Sequence, residues 1–137
     1  MNEHGSYRME LIDKVLVLRA YGAWNLETTR RWSEEYLALA ETLKSEPWAC
    51  LVDLTEWGCS PQECIPCVDK VNEWGNVNNQ SYEAVICQSL FQQKILKGVH
   101  QKLSNVETEF FQDESQAWQW LQSMGICHYL SRLSQDD

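Results

Sequence analysis

Two kinds of apolar spacing alternate along the chain. Residues 8–13 place Met9 and Leu11 at every second position, and Lys14 then leads into Val15-Leu16-Val17-Leu18-Arg19-Ala20-Tyr21. A period of two marks a strand with one wet face, whereas a nearly unbroken apolar run marks one covered on both faces. The spacing predicts a β-hairpin turning at Asp13-Lys14, with a central second strand that Gly22 ends. Asn25 then caps a helix predicted to reach about Lys44, its buried stripe being Trp32, Tyr36, Leu39, Ala40 and Leu43. Arg30 with Glu34, and Arg31 with Glu35, are i,i+4 pairs on its wet side.

Pro47 breaks that helix, and Trp48-Ala49-Cys50-Leu51-Val52-Asp53-Leu54 reads as a buried strand. Ser60-Pro61-Gln62-Glu63 opens a second helix: Ser60 is the N-cap, Pro61 the first helical residue, and Glu63 completes a capping box. This helix is predicted to end near Trp74, kinked or shortened by Pro66, with Gly75, Asn76, Asn78 and Asn79 in the following loop. Tyr82 to Cys87 is another strand, Leu90 to Leu103 a third helix, and Val106 to Phe111 a last strand. Asp113 caps a final helix to about Met124, burying Ala117, Trp120, Leu121 and Met124. The order β-β-α-β-α-β-α-β-α predicts an α/β fold. Its sheet is five-stranded and mostly parallel, with an antiparallel N-terminal hairpin strand and four helices. A length of 137 residues is that of one domain. It is expected to span 1–137, with an ordered core over about 7–125 and a tail over 126–137 that frays from Ser131.

The charge balance narrows the partners. Twenty acidic residues against eleven basic ones give a net charge of −9. Phosphate backbones need Lys and Arg to replace their counterions, so nucleic acid is excluded, and an anionic membrane surface would repel the chain. No apolar run reaches the ~20 residues that span a bilayer, and the first residues lack the basic and apolar regions of a secretion signal. Of six cysteines, Cys50 and Cys87 fall in apolar strand runs, where a thiol behaves as a small hydrophobe. A chain with its own core needs no disulfide framework, so reduced thiols and a cytoplasmic location are expected.

Three segments carry a family resemblance. They are the opening hairpin ending in Ala20-Tyr21-Gly22, the strand Leu51-Val52-Asp53-Leu54-Thr55, and the terminal Asp113-Glu114-Ser115-Gln116-Ala117-Trp118-Gln119-Trp120-Leu121. In this order the chain resembles the SpoIIAA-like fold, to which the STAS domains, the anti-sigma-factor antagonists, belong. Within that fold it is similar to a group of small bacterial proteins of unassigned function. The resemblance implies a binding switch controlled by phosphorylation of a serine at the start of the helix that follows an Asp-Leu-Ser/Thr strand. Asp53-Leu54-Thr55 matches that strand, and Ser60 is the hydroxyl that maps onto the switch, although the Asp-Ser-Ser-Gly signature is absent. A plain capping serine accounts for the same residue.

Other candidate chemistry has to be weighed against structural readings. Cys59, Cys64 and Cys67 imitate a thioredoxin-like Cys-x-x-Cys, but such a pair opens its helix with the first cysteine, and Ser60-Pro61 sets the predicted start earlier. The same three thiols are one ligand short of a structural zinc site, so no metal or other cofactor is expected. Seven tryptophans are many for this length. Trp32, Trp48, Trp74 and Trp120 fit core stripes, whereas Trp24, Trp57 and Trp118 fall outside them and point to a contact surface. In open α/β sheets ligands sit beyond the carboxyl ends of the strands. The chain puts Trp24 with Asn25, Asp53 with Thr55, and Gln88 with Ser89 there. Asp53 is the one acid at that edge, and neither a glycine-rich phosphate loop nor a nucleophile elbow occurs, which predicts a protein that is not an enzyme. Two roles remain: a protein-interaction module, as a homodimer or with another protein through surface tryptophans, and a carrier of a small apolar ligand or lipid in a pocket of some ~300 Å³.

Overall fold

The computed structural model describes residues 4–59, 62–88 and 104–128. Strands β1 (Ser6–Ile12) and β2 (Val15–Ala23) form the expected antiparallel hairpin, with Ser6 opposite Tyr21 and Ile12 opposite Val15. At its turn Asp13 takes the left-handed conformation, φ 53°, which Asp tolerates better than most side chains. Strand β3 (Trp48–Cys59) lies parallel to β2, β4 (Gln80–Ile86) parallel to β3, and β5 (Glu107–Phe111) parallel to β4. The sheet order is β1-β2-β3-β4-β5.

Helices α1 (Leu26–Glu41), α2 (Ile65–Val77) and α3 (Glu114–Ser123) are the three α-helices among the described residues, and a 3-10 turn, Gln62–Cys64, precedes α2. The predicted helix over Leu90–Leu103 lies outside the described residues, as do Ser60, Pro61, Ser89 and the tail beyond His128. Alternate strand positions feed two apolar layers. Leu16, Leu18, Cys50, Leu54 and Val85 pack with Trp32, Tyr36 and Ala40 of α1 and Val71 of α2. Val15, Val17, Ala49, Leu51, Ala84 and Ile86 pack with Ala117, Trp118 and Leu121 of α3.

Five expectations need correction. The first is the length of β3, which continues past Leu54 to Cys59. Asp53 pairs with Arg19 and Glu56 with Tyr21, so β3 uses three residues where β2 uses two. An extra residue of this kind reverses the face that later side chains take, and it turns Trp57, expected in a loop, toward the α1 and α2 layer. The second is the start of α2. It begins at Ile65 with Cys64 as N-cap, so Pro66 sits in the first turn, where its missing N–H would have had no helical partner and no kink is required. Third, the helix runs on to Val77, so Gly75 is buried within it against Gln80 rather than free in a loop.

The fourth correction is the face of α3. Trp118 is 1% exposed and Trp120 half-buried, while Met124 is 37% exposed, so the buried stripe is Ala117, Trp118 and Leu121. Trp24 is buried as well, and Trp74 is only half-buried, so Trp24 and Trp118 do not form a surface. The last is the supposed start of the tail. Gly125, at φ 78°, lets its own N–H reach Gln122 O at 3.0 Å and Ile126 N–H reach Leu121 O at 3.2 Å, which closes α3 with a Schellman motif. Residues 126–128 then pack against the fold: Cys127 is buried, and His128 N–H donates to Asp13 Oδ2 at 2.9 Å.

Candidate functional site

The strand ends were the expected site, and their groups are largely held by one another. Asn25 caps α1, its Oδ1 accepting from Thr28 N–H at 3.1 Å and Thr28 Oγ1 at 2.9 Å. Asp53 Oδ1 accepts from Thr55 N–H at 3.1 Å and Thr55 Oγ1 at 2.8 Å, while Asp53 Oδ2 pairs with Arg19 Nη1 at 3.1 Å. The same Arg19 nitrogen also bonds Glu114 in the first turn of α3. Burial alone would lower the Arg19 pKa, but Glu114 and Asp53 together outweigh that and raise it above its ordinary value. Arg19 therefore fastens the start of α3 to the middle of the sheet, and both Asp53 oxygens are committed to that fastening. Gln88 is exposed just beyond β4.

On the opposite face lies an apolar cavity of about 120 Å³ between the sheet, α1 and α2. Its walls include Trp24, Trp57, Leu54, Val68 and Val71, with Cys50 and Glu83 on the sheet side. Trp24, expected at the strand ends, and Trp57, expected with it at a contact surface, are thus brought together, although Asn25, Asp53, Thr55 and Gln88 are not among its walls. The indole N–H groups of Trp32 and Trp57, both wall residues, are buried and have no acceptor among the described residues. Sequence spacing did not mark Glu83 as an interior residue, yet it is 4% exposed. An acid set between Tyr82 and the apolar Ala84-Val85-Ile86 was the only signal for it. Burial first, and the charge of Glu83 second, raise the Cys50 thiol far above its ordinary pKa, against the smaller lowering effect of the Tyr36 hydrogen bond. A thiol so held is not a nucleophile at neutral pH.

Cys64 is buried at the N-cap of α2 and Cys67 half-buried in its first turn. Cys59 ends β3. Among the described residues no three His, Cys, Asp or Glu side chains gather as a metal ion would require, and no helix is long and apolar enough to cross a membrane.

The five-stranded sheet with one antiparallel edge has counterparts among solved structures. An uncharacterized DUF3478-family protein with a SpoIIAA-like fold from Shewanella loihica superposes with a TM-score of 0.71 at 18% identity, over 88% of this chain and 96% of that one. The chain has a SpoIIAA-like fold. An anti-sigma factor antagonist from Mycobacterium paratuberculosis matches with a TM-score of 0.60 at 13% identity, covering 86% of this chain and 94% of that one. The anti-sigma factor antagonist SpoIIAA in its unphosphorylated form matches with a TM-score of 0.59 at 10% identity, covering 85% and 98%. No protein-family model and no curated protein matches the sequence. Identities this low establish a shared SpoIIAA-like architecture and no shared residue roles.

Proposed function

We propose that this protein is a non-catalytic protein-interaction or regulatory module of SpoIIAA-like type. The observation that carries this reading is the fold it shares with two anti-sigma factor antagonists over nearly their whole lengths. The commitment of Asp53 to Arg19 and Thr55 supports it, because a general base must be free to take a proton from a substrate. The partner is a protein, and it meets the strand-end edge around Thr55, Glu56 and Gln88. Trp24 and Trp118 are buried, so a homodimer through surface tryptophans is not the form we favour. Ser60, at the start of the segment leading to α2, is the position where phosphorylation would control such binding; mass spectrometry of the protein from its own cells should find phosphate on the peptide that carries it. The binding test is affinity capture with the full chain, followed by reciprocal capture with whatever is retained. One protein recovered in both directions supports the reading. Nothing retained, with only monomer by light scattering, would withdraw it.

One observation favours a second reading, a small-ligand carrier: the apolar cavity walled by Trp24 and Trp57. At about 120 Å³ it is well below the ~300–1,000 Å³ of pockets for drug-sized ligands, so a lipid does not fit. It approaches the ~150 Å³ engineered cavity, in an unrelated protein, that admits benzene. The carrier reading thus contracts to a single-ring ligand. Titration with benzene or phenol, followed by indole N–H resonances, should move those of Trp24 and Trp57; unmoved resonances at saturating ligand would end it.

A further inference from the structure

Two thiols that the binding role leaves unused stand at the start of α2. Cys64 is the N-cap of that helix, and Cys67 lies one turn on, with Ile65 and Pro66 between them. The sequence spacing had set the helix start at Ser60-Pro61, which would have carried Cys64 into the interior of a helix. The observed start at Ile65 instead puts the first cysteine at the cap and the second in the first turn. That is the spacing of a Cys-x-x-Cys pair at the opening of an α-helix. Neither thiol is in a disulfide, Cys64 is 1% exposed, and Cys67 is open in part to solvent.

We propose that Cys64 and Cys67 form a redox-controlled pair that closes to an intramolecular disulfide by exchange with an external disulfide. Residues three apart on a helical turn hold their Cβ atoms about 5–6 Å apart, whereas a disulfide needs about 3.5–4.5 Å. The gap of one or two ångströms falls where the backbone can yield. Cys64 makes no side-chain capping bond and joins a 3-10 turn to the α-helix.

The exposure difference orders the steps. The Cys67 thiolate attacks one sulfur of the external disulfide, forming a mixed disulfide and expelling one thiolate. The Cys64 thiolate then attacks the Cys67 sulfur and expels the second. The two protons given up by Cys64 and Cys67 end on the two expelled thiolates, so two protein thiols are oxidised while one external disulfide is reduced to two thiols. Closure draws together the cap and first turn of the helix that presents Val68 and Val71 to the cavity. The device is stoichiometric, and it stands apart from the binding role proposed above.

The test equilibrates the full chain with graded mixtures of reduced and oxidised glutathione, traps free thiols by alkylation, and maps peptides by mass spectrometry. The expected result is loss of two of the six alkylatable thiols, with Cys64 and Cys67 joined in one peptide. Cys59→Ser should leave that loss intact. Cys64→Ser should abolish it and leave glutathione attached to Cys67. Cys67→Ser, at a half-buried position expected to tolerate it, should abolish it too, so the test survives should Cys64→Ser fail to fold. Six thiols still alkylated at every ratio, or a disulfide that includes Cys59, would overturn the assignment.

Discussion

Asp53 stands where an open α/β sheet presents its chemistry, yet its oxygens are held by Arg19 and by the backbone and hydroxyl of Thr55. Replacing Arg19 by Met should leave Asp53 and Glu114 facing each other's charge. Hydrogen bonds to charged groups contribute roughly 1.5–3 kcal/mol each, but Glu114 is partly exposed and solvent screens it. The expected loss of stability is therefore about 1–3 kcal/mol, read from urea unfolding; an unchanged midpoint would show that Arg19 does not fasten α3. Tyr7 supplies a second test. It donates to Glu35 Oε2 at 2.6 Å and accepts from Arg31 Nε at 2.8 Å. Burial first, and the Glu35 hydrogen bond second, raise its pKa to about 12. A raised pKa in the folded state means that its contribution is whole below the ordinary tyrosine value near ~10 and fades as pH climbs through about 12. The tyrosinate absorbance of the wild type minus that of Tyr7→Phe should show a step near the higher value, and a step near the ordinary one would contradict the contact. Sequence could name Asp53, although β3 runs on past it to Cys59. It could not show that the Asp53 carboxylate was occupied, because Arg19 and Glu114 are far away along the chain.

At the scale of elements, local chemistry was legible wherever it was self-contained. Asn25 and Asp113 cap their helices as read, since an N-cap and the N–H it serves lie within three residues. The hairpin turn at Asp13-Lys14 was equally local. The start of α2 was not, because Ser60-Pro61-Gln62-Glu63 reads as the stronger opening, yet the helix begins at Ile65 behind a Cys64 cap that makes no side-chain capping bond. The β3 bulge was also hidden, since it arises from pairing with β2. On α3 two tryptophans, two positions apart, compete for one apolar stripe, and packing against Ile86, Ala84 and Leu51 selected Trp118. Trp118→Ala should therefore cost about 3–5 kcal/mol, and Trp120→Ala clearly less, in parallel thermal or urea unfolding; the reverse order would contradict the packing. Gly125 gives a milder test of the same helix. An added Cβ would meet nothing within 4 Å, so Gly125→Ala isolates the strain of φ 78°, expected at about 1 kcal/mol.

For the whole molecule, the alternation of strands and helices sufficed to anticipate a parallel sheet with one antiparallel edge, which the strand order bears out. The cavity was less legible. Its walls come from β2, β3, β4, α1 and α2, and no spacing along one segment shows what five elements enclose. The central claim is that this SpoIIAA-like chain works by binding a protein at its strand-end edge. Isothermal titration of the full chain with its captured partner tests that claim most directly. Saturable binding is expected, weakened at least about tenfold, or ~1.4 kcal/mol, by Gln88→Arg. Ser45→Arg, in the turn leading into the other end of β3, should leave it unchanged. Equal affinities for both variants, or no saturable binding at all, would contradict it.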